Sequence, residues 1–198
     1  KLYGLNPEIA WNYGVSFTQS FKLLGKNAEV TLDWYRTDFQ NQAVVDVMQS
    51  PEQVLFYNLK GKSFANSFQI EFNYEMVKNL RLRSAYKRYD VQTDYLSGTF
   101  QKPLQAKNRF FGNLEYETAV EDNSKQWKFD FTYNWIGEQQ LPNTQSNPNT
   151  DRLPEFSPVY SLMNTQITRV FSPVFEVYFG GENIGNYTQT KVILGSEN

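Results

Sequence analysis

From Trp127 to Trp135 the chain reads Trp-Lys-Phe-Asp-Phe-Thr-Tyr-Asn-Trp, with every second residue aromatic and a polar residue in each gap. Side chains of a β-strand point alternately to its two faces, so this run is a strand with one greasy side and one wet side. The same period returns along the chain. Trp11, Tyr13, Val15, Phe17 and Phe21 alternate with Asn12, Gly14, Ser16, Thr18 and Ser20. Ala28, Val30, Leu32 and Trp34 oppose Glu29, Thr31 and Asp33, and Phe64, Phe68, Ile70, Phe72 and Tyr74 oppose Ser67, Gln69, Glu71, Asn73 and Glu75. Leu80, Leu82 and Tyr86 oppose Arg81, Arg83 and Lys87, and Phe110, Leu114 and Tyr116 oppose Asn113, Glu115 and Glu117. Phe175, Val177 and Phe179 oppose Glu176, with a weaker alternation of Met163 and Ile167 against Asn164, Gln166 and Thr168 between them. No stretch repeats its apolar residues at helical spacing, and the expected fold is all-β.

The eight strands are separated by Leu23–Asn27, Ser50–Lys62, Val77–Asn79, Thr93–Lys107, Glu121–Lys125, Gly137–Pro158 and Phe171–Pro173, with a further stretch from Asn186 onward. Short and long connections alternate. An antiparallel up-and-down meander with tight turns at one end and long loops at the other is the plan of outer-membrane barrels, whose turns face the periplasm and whose loops face outside. In hydrocarbon every backbone N–H and C=O must be paired within the protein, so a spanning sheet closes on itself. Its outer face is then apolar, with aromatics where acyl chains meet headgroups, and its inner face can be wet. That explains why aromatics reach 17% of the chain beside a comparable supply of Asn and Gln.

Composition narrows the chemistry. There is no Cys and no His, which removes disulfides, thiolate metal sites, the commonest transition-metal ligand and the usual base of a nucleophilic pair. A formal net charge of −2 provides no basic face for nucleic acid. No run of about 18 apolar residues exists to form a membrane-crossing helix. No enzymatic activity, cofactor or metal is expected, and no carboxylate pair stands out as one for glycoside hydrolysis.

Several short motifs bear on identity. Leu5-Asn-Pro-Glu8 precedes Trp11-Asn-Tyr-Gly14; Trp34-Tyr-Arg-Thr-Asp-Phe39 is followed by Asn41-Gln42 and Val44-Val45-Asp46. Tyr57-Asn58 and Ser67-Phe-Gln-Ile-Glu71 come next, and Gly181-Glu-Asn-Ile-Gly-Asn-Tyr187 closes the series. In this order they resemble TonB-dependent outer-membrane receptors, and the Asn/Pro-rich stretch after Trp135–Pro142 resembles those of Bacteroidetes. The resemblance spans essentially all 198 residues. It implies that residues 1–198 form the C-terminal third of a 22-stranded barrel domain in the bacterial outer membrane, with the final strand and the N-terminal plug domain outside the sequence. It further implies TonB-energised uptake of a scarce, large solute such as a siderophore-metal complex, cobalamin or a glycan. Implied partners are outer-membrane lipid, the plug domain, the TonB complex and a surface lipoprotein. Two other readings of the alternation are a secreted carbohydrate-binding module and a complete small outer-membrane barrel acting as adhesin or structural anchor.

Three groups of residues are candidates for function. Trp11, Phe17, Trp34, Phe72, Trp127, Phe131 and Trp135 are expected to form the lipid-facing girdle. Glu71, Glu75, Arg81, Arg83, Lys87, Glu115 and Glu117 share the polar faces of neighbouring strands, and the tight turn at Val77–Asn79 favours a register with Glu75 opposite Arg81. They are expected to form a cross-strand ion ladder lining the bore, alternatively a strip touching the plug or guiding an anionic solute. Asn143, Asn147, Asn149 and Asp151 lie in the polar loop 143–151 and are candidates for an extracellular rim.

Overall fold

A computed structural model describes residues 4–189. Eleven strands form in chain order: β1 (Ala10–Leu23), β2 (Lys26–Phe39), β3 (Ala43–Ser50), β4 (Gln53–Asn58), β5 (Ser63–Val77), β6 (Leu80–Tyr95), β7 (Gly98–Gln101), β8 (Asn108–Glu117), β9 (Gln126–Ile136), β10 (Tyr160–Ser172) and β11 (Phe175–Gly181). Eight of them make one antiparallel wall, ordered β1-β2-β5-β6-β8-β9-β10-β11, with β7 extending β6. The remaining two, β3 and β4, pair only with each other. Sequence neighbours are therefore wall neighbours, as the alternating connections require.

The tight ends use local chemistry that fits them. Leu24 and Gly25 both have positive φ, 50° and 78°, between the paired residues Leu23 and Lys26. That is the backbone of a primed hairpin turn, which matches strand twist, and glycine adopts it without strain. At the next tight end Asn79 takes φ 69° after a register shift between Glu75 and Val77. Pro173 and Val174 span the turn from β10 to β11.

Apart from register shifts at two tight-turn ends, cross-strand pairing carries the faces through the wall. One row runs Phe17–Leu32–Ile70–Tyr86–Phe110–Trp135–Ser161, and another runs Phe21–Ala28–Tyr74–Leu82–Leu114–Phe131–Thr165. Both lie on the apolar face, on which charges are few: Lys26 near one tight turn, Arg169 near another, Arg88 partway along β6, and Arg36, Asp38, Asp90 and Asp94 toward the long loops. The rows also climb. Ala28 stands three residues from Gly25, whereas Thr165 in the same row stands eight from Pro173. Such stagger is the shear that lets a sheet curl toward a barrel. The sheet is open, since β1 and β11 are its two edges and do not pair with each other.

The core does not lie in the wall. Of the buried hydrophobic residues, Val44, Met48, Leu59, Tyr95, Ala106 and Leu141 belong to the long connections or the strand ends beside them. Val44, Leu59 and Tyr95 form one cluster, with Tyr57 and Phe100 packed against it. Register places Tyr95 and Phe100 on the polar face, in line with Thr93 and Ser63. The β3–β4 hairpin thus leans over the polar side of the wall.

One expectation needs correction here, and another lies largely outside the described residues. The connection Ser50–Lys62 is not plain loop: with Ala43–Ser50 it builds the β3–β4 hairpin, and Thr93–Lys107 contains β7. The stretch from Asn186 falls outside the described residues from 190 on.

Gly14 is required by close approach. A Cβ there would collide with the Tyr35 ring and the Trp34 carbonyl, because Tyr35 lies directly across the strand pair. Gly14→Ala is expected to destabilise the full-length protein by about 1–3 kcal/mol through overpacking. Ser16→Ala, two residues along the same face, should stay within about 0.5 kcal/mol. Urea midpoints of the two variants check this, and equal midpoints would refute the contact.

Candidate functional site

The apolar face is uncovered. Trp34, Phe68, Ile70, Phe110, Phe131 and Ile167, all interior to the wall, are each between 37% and 41% exposed, and Trp11 reaches 66%. Among the described residues no second sheet stacks on them. A water-soluble sandwich would bury these rings between layers. A continuous apolar surface across eight strands is a patch of the kind that soluble monomers rarely expose. Trp11, Phe17, Trp34, Phe72, Trp127, Phe131 and Trp135 all stand on this face.

At the tight-turn border Arg169 also stands on it. Its guanidinium lies 5.0 Å from the Trp127 ring centroid, 5.8 Å from that of Phe171, and 4.0 Å from Glu121. A cation spread over two rings while its tip reaches a carboxylate is how a long basic side chain serves a greasy-to-wet boundary.

The opposite face carries the residues expected to form an ion ladder. Glu75 is directly across from Arg81, as the turn suggested. The ion pair forms elsewhere: Arg81 Nη2 lies 3.0 Å from Glu115 and 3.3 Å from Glu117, both on β8. Two carboxylates on that side outcompete one on β5. The Arg81 side chain is 50% exposed, so each pair contributes about 0–1 kcal/mol. Glu71 accepts a hydrogen bond from Gln69, while Arg83 and Lys87 have no carboxylate within 4.0 Å among the described residues. Lys87 Nζ instead sits 4.7 Å from the Tyr89 ring centroid. Here the ladder is a short ion triad and a set of unpaired cations, not a continuous chain of pairs.

The loops end in a built structure. Asp46 is fully buried and accepts from the Tyr57 hydroxyl at 2.8 Å and from Met48 N–H at 2.9 Å. The Tyr57 oxygen accepts in turn from Leu96 N–H at 3.0 Å, tying the hairpin to the end of β6. Burial, with the Asp46 carboxylate adding to it, pushes the Tyr57 phenol above its usual range. Asp94 accepts from Thr99 and from Lys62 N–H, which hold its carboxyl below the usual range. A cleft of about 210 Å³ opens between Met48, Phe100 and residues Gln140–Gln145, closed on its far side by Leu153–Glu155. Asn143 forms part of it, its side chain accepting from Gln145 N–H. The Asn147 carbonyl accepts from Arg152, and Asn149 and Asp151 are exposed in a single 3₁₀ turn. Loop 143–151 is thus internally fastened. Sequence reasoning missed Asp46, Tyr57 and Met48 as a unit, since only their partners across the loops reveal it.

A family model described as TonB dependent receptor-like, beta-barrel, matches residues 2–184. The chain belongs to this family of outer-membrane receptors. Membership agrees with the all-β meander and with an uncovered apolar face, and the family's members are transporters rather than enzymes. TonB-dependent receptors live in outer-membrane lipid and work with a plug and TonB. No curated protein and no solved structure matches the chain.

Proposed function

We propose that this chain is wall and loop of a receptor that imports a scarce, large solute, of the siderophore-metal, cobalamin or glycan kind, using energy delivered through TonB. The observation that carries the reading is the division of the wall into an uncovered apolar face and a polar face overhung by the loop core. The apolar face meets lipid, with Trp11, Phe17, Trp34, Phe72, Trp127, Phe131 and Trp135 as its aromatic girdle. The polar face lines the bore, where Glu71, Glu75, Arg81, Arg83, Lys87, Glu115 and Glu117 face the plug or passing solute. Asn143, Asn147, Asn149 and Asp151 belong to the extracellular rim, where a surface lipoprotein would also dock. In the full-length protein the edges β1 and β11 pair with further strands of the same barrel, because open ladder edges do not persist in hydrocarbon.

The test is made on the bacterium. A strain lacking the full-length gene is compared with the complemented strain for solutes depleted from the medium. Depletion of at least one solute should require the gene and should stop when TonB is deleted or a protonophore is added. Gene-dependent uptake that continues undiminished without energy coupling would overturn the proposal.

A further inference from the structure

The pairing of β6 with β8 sets two cations face to face. Lys87 is directly opposite Arg109, and both point to the polar side, in a row with Gln69 on β5 and Ile136 on β9. Directly opposed residues of an antiparallel pair have Cβ atoms about 4.5–5.5 Å apart, and like charges there repel. Proteins normally relieve such a clash with a carboxylate. Arg81, on the same strand, has two.

Lys87 and Arg109 have none. Among the described residues no Asp or Glu comes within 4.0 Å of either. Glu71, diagonal to Lys87, is engaged by Gln69, and the Lys87 ammonium has turned onto the Tyr89 ring. Tyr89 and Ala85 flank Lys87, and Phe111 stands two residues along from Arg109 on its face; the neighbouring Lys107, two residues to the other side of Arg109, is already paired with Asp90 at 3.5 Å. Arg109 is exposed, so none of the described residues covers it.

We infer that Lys87 and Arg109 form a binding site for an organic anion, a carboxylate-, sulfonate- or phosphate-type group carried on a ring or hydrocarbon body. The charged group relieves the repulsion between the two cations. Tyr89 and Phe111 supply aromatic surface for the body, and Arg83, four residues below Lys87 on the same face, offers a further unpaired cation toward the tight-turn end. Seated below the loop core on the wall, the pair is placed to meet the solute after it passes the mouth. The inference rests on the polar face being the bore of a receptor and adds to it that the imported solute is anionic.

The test uses purified full-length receptor in detergent and 8-hydroxypyrene-1,3,6-trisulfonate as probe, read by fluorescence anisotropy. Saturable binding is expected, weakened at least about tenfold in Lys87→Gln/Arg109→Gln. The charge-keeping exchange Lys87→Arg/Arg109→Lys should restore it, and slower migration after boiling on gels verifies that each variant is folded. Equal binding by wild type and the Gln variant overturns the site. So does an absence of saturable binding to wild type, the result expected if a plug carboxylate already fills the pair. Since the assay needs no TonB and no energy, its failure is distinct from failure of the uptake experiment.

Discussion

Phe131→Arg is expected to destabilise the full-length barrel in lipid vesicles by about 2–4 kcal/mol, while Thr132→Arg costs under about 1 kcal/mol. Phe131 is midway along β9, opposite Leu114 on one side and Thr165 on the other, within a row that holds no charge. An arginine there must carry its guanidinium out of hydrocarbon or drag water in. Thr132, the next residue, faces the other way, where its hydroxyl bonds to Asp130 and accepts from Asn113. An arginine at that position meets a carboxylate and water. Urea unfolding in vesicles reads both. Equal costs at the two sites would mean that the apolar face is not immersed in lipid.

Asp46→Ala is expected to cost the loop cluster about 1–3 kcal/mol by leaving the Tyr57 hydroxyl and Met48 N–H without their acceptor. Tyr57→Phe should have a similar effect, since it leaves a fully buried carboxylate with one donor fewer. Because the hairpin is fastened to β6 through this hydroxyl, the visible result is faster protease cleavage at the Ser50–Gln53 turn. The wall should melt as before. The same contact has a pH sign. The Tyr57 phenol is raised in the fold, so its stabilising effect is complete below the unfolded value of about 10 and fades as pH climbs through the higher folded value. Cleavage should accelerate over that alkaline range in wild type and not in Tyr57→Phe. Unchanged cleavage in Asp46→Ala would show that the hairpin is held by its apolar contacts alone.

The wall was readable because two solvents meet across it. Wherever one side of a strand faces apolar surroundings and the other faces water, residues such as Trp127–Trp135 record the difference with period two. The β3–β4 hairpin breaks that rule. Val44, Asp46 and Met48 are buried, while Val45 on the other side is 50% exposed and equally apolar, so no alternation exists to read. The one acid in its two strands, Asp46, sits on the buried side. The register of Glu75 and Arg81 followed from a tight turn, but the partners of Arg81 are on β8, across a connection whose length leaves register free. Lys87 and Arg109 meet across that same connection, which is why Arg109 escaped notice as part of the polar strip. Val44, Leu59 and Tyr95 carry no signal of a shared core until three distant segments converge.

That convergence divides the chain by how it tolerates evolution. Where Val44 and Leu59 pack against neighbours of fixed shape, removing a methylene leaves a hole that nothing fills. Along Phe17, Ile70 or Phe110, under the function proposed above, the adjoining matter is lipid, and acyl tails flow into whatever space a smaller residue vacates. Drift between one hydrocarbon side chain and another is therefore cheap on the outside of the staves, and volume is policed only at the brim.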